Sequence, residues 1–307
     1  MTKVFIDGSA GTTGLRIYER LELRKDIELI KLTEELRKND AARKEAILNA
    51  EIAFLCLPDA AAIDAAKMAD GSDTVIIDTS TAHRTNDDWA YGFAELTGLR
   101  EKIASSKRIA NPGCHASGFI ALVRPLIEAG ILNKNAKLSC FSLTGYSGGG
   151  KKMIAQYEAE DADVLLEAPR TYGLNQSHKH LPEMKKLCML ENAPLFSPIV
   201  SSYYAGMEVT VPLFAEDVNG DIEKIAKFYS DYYTGKLVKF AKECDESGFL
   251  SAGKLAGKDS MEISVFGNSE RITLVSRFDN LGKGASGAAI QNMNIVLGID
   301  EAAGLNI

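Results

Sequence analysis

The sequence lacks several features that mark common protein classes. Its five cysteines are odd in number and widely spaced, and no Cys-x-x-Cys pair occurs, so neither a disulfide framework nor a zinc cage is predicted. No apolar run reaches about 18 residues, and no basic segment followed by an apolar one opens the chain. We therefore expect neither membrane insertion nor export, and a reducing cytoplasmic location.

Positive charge is also scarce relative to negative charge. The chain has 35 Lys and Arg against 42 Asp and Glu, a net charge of -7. Because the cations are scattered among acids, the electrostatic footprint of a nucleic-acid-binding protein is missing. The composition is that of an ordinary globular protein, with 46% hydrophobic residues and no internal repeat. At 307 residues, the length indicates two domains of about 150 residues each.

Glycine is concentrated where the chain first turns. A short apolar strand, 3–7, runs into a glycine-rich turn, and a helical pattern with Leu15, Tyr18 and Leu21 on one face follows. This order favours a dinucleotide site, because glycines permit a tight turn and let a pyrophosphate approach the backbone N–H groups. The spacing is G-x-x-G-x-x-G instead of the commoner G-x-G-x-x-G. The candidate cofactor contacts are Gly8, Ser9, Ala10, Gly11, Thr12, Thr13 and Gly14.

The end of the second expected strand carries charges of both signs. Glu34 and Glu35 favour NAD, because a carboxylate there typically holds the ribose 2′-hydroxyl. Arg37 and Lys38 favour NADP, because cations bind the 2′-phosphate. The residues alone leave this choice open, and a solvated charged loop is an equally good interpretation. Thr33 is a further candidate contact at this strand end.

Strands and helices alternate along the first 110 residues. We expect strands at 27–32, 52–57, 75–78 and 108–110, with helices at 40–50 and 60–69. This alternation predicts a doubly wound α/β domain with ligands at the carboxyl ends of its parallel strands. At one such end, Ser80 is a candidate cofactor contact, and the guanidinium of Arg84 is suited to an anion. A capped turn with Arg84 in solvent is the alternative.

The strand at 108–110 leads into Asn111-Pro112-Gly113-Cys114, which places a cysteine in the first turn of a helix whose apolar run covers 118–129. The unpaired N–H groups and the macrodipole at a helix start favour an anion, so a thiol there ionises more easily than an ordinary one. Cys114 is therefore a candidate nucleophile, although most free cysteines are small buried hydrophobes. We expect it to face the same crevice as the cofactor.

Two polar segments follow in the second half of the chain. Residues 145–152 are too rich in glycine for anything but a turn or a substrate cradle, where Ser147 and Lys151 are candidate contacts. They lack the spacing of a Walker loop, so ATP is not implied. Two of the four histidines, His178 and His180, share one polar loop, which favours a catalytic or substrate-binding role. They form at most half a metal site, and no metal is predicted.

The remaining pattern indicates an α+β segment. Strands are expected at 138–144, 203–213, 261–266 and 272–278, and helices at 222–232 and 238–242. Together they predict one mixed or antiparallel sheet. An apolar helix near the end of the sequence, carrying Ile290 and Met293, requires a groove to lie in.

Five of these motifs, in order over essentially the whole chain, resemble the short form of the N-acetyl-gamma-glutamyl-phosphate reductases, within the semialdehyde dehydrogenase superfamily. They occupy residues 8–14, 78–84, 111–114, 178–183 and 280–285.

The resemblance implies that the Cys114 thiolate takes up the acyl group of N-acetylglutamyl phosphate and that NADPH supplies the hydride, a step of arginine biosynthesis. It implies His180, with His178 as the weaker candidate, as the acid/base, and Glu183 as the residue that orients it. Asn111 and Arg84 are candidate substrate contacts, the latter for the phosphate.

The resemblance also implies an architecture. A Rossmann-type NADP-binding domain, 1–110 plus 281–307, receives an inserted α+β catalytic and dimerisation domain, 111–280. The sheet of the inserted domain joins homodimers or homotetramers. NADP use in the family favours the phosphate-binding role of Arg37 and Lys38.

Two other functions are compatible with some of these motifs. An aspartate-semialdehyde dehydrogenase shares the glycine turn and the cysteine, and applies the same mechanism to a shorter acid. A dinucleotide-sensing regulator would keep the glycine turn without chemistry. Such a sensor would have no use for an activated thiol at Cys114.

Overall fold

The computed structural model describes all 307 residues, which fold into two compact units. Unit 1 comprises Met1–Ala94, Gly98–Pro112 and Ala285–Leu305. Unit 2 comprises Glu95–Thr97, Gly113–Gly284 and Asn306–Ile307. No helix is both long enough and apolar enough to cross a membrane.

The structure contains thirteen strands and nine α-helices. The strands, in chain order, are β1 (Thr2–Asp7), β2 (Ile27–Ile30), β3 (Ile52–Leu55), β4 (Val75–Asp78), β5 (Ala90–Tyr91), β6 (Arg108–Ala110), β7 (Ser139–Gly145), β8 (Arg170–Thr171), β9 (Leu195–Ser201), β10 (Met207–Phe214), β11 (Val238–Phe240), β12 (Met261–Gly267) and β13 (Arg271–Phe278). The helices are α1 (Thr12–Glu22), α2 (Asp40–Asn49), α3 (Asp59–Met68), α4 (Leu99–Ser105), α5 (Cys114–Glu128), α6 (Gly150–Tyr157), α7 (Leu181–Leu187), α8 (Ile222–Tyr232) and α9 (Gly287–Val296).

Unit 1 is built on a six-stranded sheet in the order β2-β1-β3-β4-β6-β5, in which every pair of neighbours is parallel. Every residue of β3 is buried, as expected of a parallel strand covered on both faces. The apolar helix α9 packs into this unit, where Ile290 and Met293 join Ile17 and Phe54 in the core. The predicted doubly wound α/β fold is confirmed.

Unit 2 is built on a seven-stranded mixed sheet in the order β11-β12-β13-β10-β7-β9-β8. The pairs β11·β12 and β7·β9 are parallel, and the other neighbours are antiparallel. The long buried helix α5 packs on β10 and β13. This packing requires Gly118, because a Cβ there would lie 2.4 Å from Val209 Cγ2 and 2.7 Å from Ser276 Oγ. The predicted α+β segment with a mixed sheet is confirmed.

A proline interrupts the hydrogen bonding of α5. Pro125 has no N–H to donate to the carbonyl of Ala121, four residues earlier. The hydroxyl of Tyr233 donates to this carbonyl at 2.6 Å, and that of Tyr229 donates to the carbonyl of Leu122. The Tyr233 hydroxyl thus satisfies the buried Ala121 carbonyl, which has lost its helical partner, and Tyr229 adds a bond to the next carbonyl.

Several local predictions were wrong. Residues 238–242 do not form a helix, because Val238–Phe240 pairs in parallel with β12 and tertiary pairing overrides the local pattern. Residues 145–152 are not only a turn, since a 3₁₀ turn over Tyr146–Gly149 leads into α6. The second strand ends at Ile30, and the strand expected from 203 begins at Met207. By contrast, the placement of Cys114 at a helix start is confirmed, since α5 begins at Cys114, ahead of the apolar run expected over 118–129.

Candidate active site

The glycine turn of unit 1 forms a cradle of backbone. Gly8 has a φ of 85°, and a Cβ there would lie 2.3 Å from the carbonyl oxygen of Cys56. A Cβ on Gly14 would lie 2.4 Å from the carbonyl oxygen of Gly8. Helix α1 begins directly after the turn, with no side-chain cap and no acid in its first turn. Its first N–H groups and dipole therefore fit a pyrophosphate.

A cavity of about 640 Å³ lies beside this turn, over the ends of β1 and β2. Five predicted cofactor residues line it, namely Gly8, Ser9, Ala10, Arg37 and Lys38. The size and the apolar lining with a few charges are typical of a small-molecule or cofactor site. Three of the seven predicted turn residues and both predicted cations thus line one cavity.

Sequence reasoning missed Arg43, which also lines this cavity. Its Nε and Nη2 donate to the Asp7 carboxylate at 3.0 and 2.8 Å, and its Nη1 donates to Asp40 at 2.9 Å. Asp7 directly precedes Gly8, where an uncompensated carboxylate would repel phosphates. Arg43 therefore supplies the opposite charge that a nucleotide site at this turn requires.

Thr33 and Ser80 shape the loops around the candidate nucleotide site. The carbonyl of Thr33 accepts hydrogen bonds from the N–H groups of Leu36 and Arg37, which fixes the turn that carries the cations. The N–H and Oγ of Ser80 donate to the Asp78 carboxylate at 2.9 and 2.7 Å. Their direct contact with a cofactor stays a prediction.

Arg84 and Asn111 belong to a buried polar network in unit 1. The Nε of Arg84 donates to the carbonyl of Asn111, and its Nη2 to that of Thr79, both at 2.9 Å. The Asn111 side chain donates to the Ala285 carbonyl at 3.0 Å and accepts from Asn292 Nδ2 at 3.1 Å. These bonds fix the backbone leading to the cysteine turn. Substrate contact by Arg84 and Asn111 stays a prediction.

In unit 2, Cys114 is the first residue of α5 and is half-buried. The N–H of the preceding residue, Gly113, donates to Glu183 Oε1 at 2.9 Å, so the predicted Glu183 lies at the cysteine turn. A Cβ on Gly284 would approach Cys114 Cβ to 3.0 Å, so that glycine permits the close packing of its turn. Cys56 lies elsewhere, in unit 1, where burial raises the pKa of its thiol to about 12, so this cysteine stays a protonated packing residue.

Three of the four histidines cluster beside Cys114. The rings of His178 and His180 lie 4.8 Å apart, and each lies 5.7 Å from the ring of His115. Sequence reasoning did not single out His115, although it directly follows the candidate nucleophile. No group of three or more His, Cys, Asp or Glu side chains is placed to hold a metal ion.

The histidines of the cluster differ in environment. Burial and the neighbouring His178 lower the pKa of His115 to about 3. Burial and Lys179 lower the pKa of His178 to about 4. Both imidazoles are therefore neutral near pH 7, and His178 Nδ1 accepts the backbone N–H of His180 at 3.2 Å. The side chain of His180 is buried.

The predicted substrate cradle has one buried and one exposed member. Ser147 is buried, and its Oγ accepts from Asn280 Nδ2 at 3.0 Å. Asn280 Oδ1 accepts in turn from the N–H of Gly206 at 3.0 Å. Lys151 lies exposed on α6. Sequence reasoning noticed Asn280 only as the first residue of the 280–285 motif.

Known proteins match both parts of the chain. Residues 3–106 match the NAD-binding domain of semialdehyde dehydrogenases, and residues 114–280 match their dimerisation domain. Among solved structures, aspartate semialdehyde dehydrogenase II from Vibrio cholerae has a TM-score of 0.72 at 17% identity, over 97% of this chain and 98% of that one. The enzyme from Francisella tularensis has a TM-score of 0.71 at 13% identity, over 97% and 100%. These structures share the fold.

Sequence relatives are more specific. The N-acetyl-gamma-glutamyl-phosphate reductase of Sinorhizobium medicae (strain WSM419) is 47% identical over 96% of this chain and 98% of its own. That of Brucella suis (strain ATCC 23445 / NCTC 10510) is 47% identical over 96% and 99%. Identity at this level over whole chains confirms the resemblance drawn from the motifs. The chain belongs to the N-acetyl-gamma-glutamyl-phosphate reductase family of the semialdehyde dehydrogenases.

Proposed function

We propose that this protein catalyses the NADPH-dependent reduction of N-acetyl-L-glutamyl 5-phosphate to N-acetyl-L-glutamate 5-semialdehyde and phosphate. The reaction would take place in the cytoplasm, as a step of arginine biosynthesis. The observation that carries the proposal is Cys114 at the start of α5, with three histidines beside it, in a chain of this family.

Cys114 acts as the nucleophile in this proposal. Its sulfur attacks the acyl carbon of the acyl phosphate, the bond from that carbon to the phosphate oxygen breaks, and a thioester and free phosphate result. A thiol suits this step because it is strongly nucleophilic and its acyl ester remains electrophilic. The residues of unit 1 would hold NADPH, and the chemistry that this cofactor would supply is donation of a hydride to the thioester carbonyl. The carbon–sulfur bond then breaks, which releases the semialdehyde and restores the thiolate.

Proton transfer is assigned to His180, which would protonate the oxygen of the hemithioacetal formed by hydride addition and take that proton back as the carbon–sulfur bond breaks. A general acid must hold a proton near neutral pH, and burial with Lys179 keeps the pKa of His178 too low, at about 4. His178 suits hydrogen-bond acceptance within the substrate pocket instead. Glu183, which accepts the N–H of Gly113, is a positioning residue for the cysteine turn as well as for His180. Arg84, Asn111, Ser147 and Lys151 are retained as substrate contacts, Arg84 for the phosphate.

The nucleotide is assigned to unit 1. The unit matches an NAD-binding domain, and the backbone cradle, cavity and Asp7–Arg43 pair fit a dinucleotide phosphate. Preference for NADP is assigned to Arg37 and Lys38, which line the cavity. Gly11, Thr12, Thr13, Gly14, Thr33 and Ser80 complete the proposed contacts.

The NADP preference is tested by changing both cations to Ala. Because only NADPH carries a 2′-phosphate, Arg37→Ala/Lys38→Ala should raise the KM for NADPH about 10- to 100-fold and leave that for NADH nearly unchanged. Calorimetry with adenosine 2′,5′-bisphosphate and 5′-AMP should show the same contrast without turnover. The double variant Lys44→Ala/Lys67→Ala, which removes two exposed cations of α2 and α3, is the matched control. Equal losses for both nucleotides would reduce Arg37 and Lys38 to a charged loop.

The assembly is proposed as a homodimer or homotetramer formed through the unit that matches the dimerisation domain. The domain limits, 1–110 with 281–307 and 111–280, are part of the same proposal. Light scattering after size exclusion measures the assembly, and a monomer at micromolar concentration would contradict it.

A reverse-direction assay tests the function itself. NADPH formation is followed with N-acetylglutamate semialdehyde and phosphate, and in parallel with aspartate semialdehyde and phosphate. We expect turnover of the acetylated substrate. Turnover of aspartate semialdehyde alone would show an aspartate-semialdehyde dehydrogenase, and nucleotide binding without turnover of either would show a sensor.

A further inference from the structure

A hydrogen-bonded chain of three side chains ends beside the candidate nucleophile, and no step of the proposed mechanism uses any of them. His115 Nδ1 lies 2.7 Å from Ser142 Oγ, and His115 Nε2 lies 2.6 Å from the hydroxyl of Tyr172. His115 and Ser142 are buried, whereas Tyr172 is half-buried. His115 follows Cys114 directly, so the chain is anchored at the cysteine turn.

The position of the protons in this chain follows from Ser142. Its hydroxyl has one side-chain partner, His115 Nδ1, and a buried donor without an acceptor is costly. Ser142 therefore donates to Nδ1, which must be the unprotonated nitrogen of a neutral imidazole. Burial with His178 keeps the pKa of His115 at about 3, so the ring carries one proton, on Nε2.

The proton on Nε2 decides the role of Tyr172. His115 Nε2–H donates to the hydroxyl oxygen of Tyr172, and this oxygen has no other side-chain partner. The O–H of Tyr172 is then left to donate to a ligand. The opposite tautomer would use the tyrosine proton on His115 and leave nothing for a ligand.

Tyr172 lies where the reaction would take place. It contacts the ring of His178 at 5.8 Å, and the neighbouring Cys114 adds to burial in raising its pKa, so the phenol stays protonated. We propose that the Ser142–His115 pair fixes Tyr172 as a hydrogen-bond donor to the acyl oxygen of the substrate bound at Cys114. This inference rests on the proposed function of Cys114. Tyr172 stabilises the negative charge on that oxygen and transfers no proton.

Nitrogen NMR of ¹⁵N-histidine-labelled protein tests the tautomer without any substrate. Only four imidazoles are present, and His115→Asn identifies the signals of His115. We expect the Nε2–H tautomer in the wild-type enzyme. In Ser142→Ala the two tautomers should become mixed, whereas Ser264→Ala, a buried serine of the same sheet, should change nothing. An Nδ1–H tautomer in the wild type would overturn the proposal.

Steady-state kinetics in the reverse direction test the donor. Removing one donor of this kind typically costs about 10²-fold or more, so Tyr172→Phe should lower kcat and kcat/KM together by about 10²-fold. Its Kd for NADPH should not change, whereas its melting temperature should fall modestly, because the buried His115 Nε2–H loses its acceptor. Tyr232→Phe, which removes a hydroxyl bonded to the N–H of Thr97, is the matched control and should keep full activity.

The kcat of the double variant Ser142→Ala/Tyr172→Phe shows whether Ser142 acts through Tyr172 or independently of it. Ser142→Ala should lower kcat less than Tyr172→Phe, and it should have no effect in the Tyr172→Phe background, because both changes act on one donor. An unchanged kcat in Tyr172→Phe, or additive losses in the double variant, would overturn the proposal. If Ser142→Ala does not fold, Tyr172→Phe alone still decides it. Wild-type protein without turnover of the acetylated semialdehyde would refute the proposed function, and the NMR result would still stand.

Discussion

The two units build their candidate sites from different materials. In unit 1 the glycine turn supplies backbone N–H groups. It requires glycine at positions 8 and 14, since a Cβ on Gly8 or Gly14 would collide with the backbone. In unit 2 the site consists of buried and half-buried side chains, with His115, His178 and His180 in mutual contact. A phosphate needs only donors at fixed positions, whereas bond breaking needs groups whose protonation is controlled. Changes to unit 2 should therefore affect kcat, and changes to the turn should affect binding.

The largest effect is expected at the nucleophile. Cys114→Ser should retain less than about 1% of the activity, because an alkoxide forms far less readily than a thiolate. Fluorescence titration should show an unchanged Kd for NADPH, since the variant leaves unit 1 intact. Iodoacetamide should label Cys114 before the buried Cys140 and Cys188. More than a few per cent residual activity would demote Cys114 to a packing residue.

The histidines sharpen the comparison within unit 2. His180→Asn should lower kcat by about 10²–10⁴-fold with little change in nucleotide affinity, because general acid catalysis contributes on that scale. His178→Asn should act mainly through KM, and Glu183→Gln should resemble a milder His180 change. A large kcat loss at His178 with a small one at His180 would reverse their roles.

The glycine turn tests the comparison from the other side. Gly8→Ala combines a positive φ with a Cβ 2.3 Å from the Cys56 carbonyl, so it should cost about 2–4 kcal/mol of stability and raise the Kd for NADPH. Gly71→Ala is the matched control in the same unit, because Gly71 also has a positive φ but open space around its Cβ. Thermal unfolding and fluorescence titration measure both variants. Equal losses would show that the turn needs only the backbone conformation.

The smallest effect concerns acid. Burial lowers the pKa of His115 to about 3 and that of His178 to about 4 in the folded state. Below about pH 6.5 these two histidines therefore bind protons in the unfolded chain but stay neutral in the folded one. Stability should therefore fall as the pH drops below about 6.5, by at most about 1.4 kcal/mol per pH unit for His115. The half-exposed His178 should contribute less. Denaturant unfolding at pH 7 and pH 5 measures the difference, and equal stability at both would contradict it.

The same contrast explains what the sequence could predict. The strand at 75–78 and the helix at 222–232 have the predicted limits, because a short apolar run marks the first and an amphipathic repeat marks the second. The glycine turn was readable for the same reason. Its function depends on consecutive residues and on the absence of side chains.

Long-range contacts at the two candidate sites could not be predicted from local sequence patterns. His115 contacts Ser142 and Tyr172, which are 27 and 57 residues away in the sequence, through tertiary packing that no local pattern predicts. Arg43 meets Asp7 across 36 residues and looks, in the sequence, like a solvated residue of α2. Residues 238–242 were assigned to a helix for a related reason, because their state depends on pairing with β12.

The origin of unit 1 from separate stretches of chain bears on its synthesis. Residues Ala285–Leu305 are translated after the whole of Gly113–Gly284, yet Ile290 and Met293 complete the core around Ile17. During synthesis, part of the apolar core of unit 1 therefore stays exposed while the residues of unit 2 leave the ribosome and fold. Chaperone dependence of the nascent chain should therefore centre on the first 112 residues, and release from the chaperone should follow the arrival of α9.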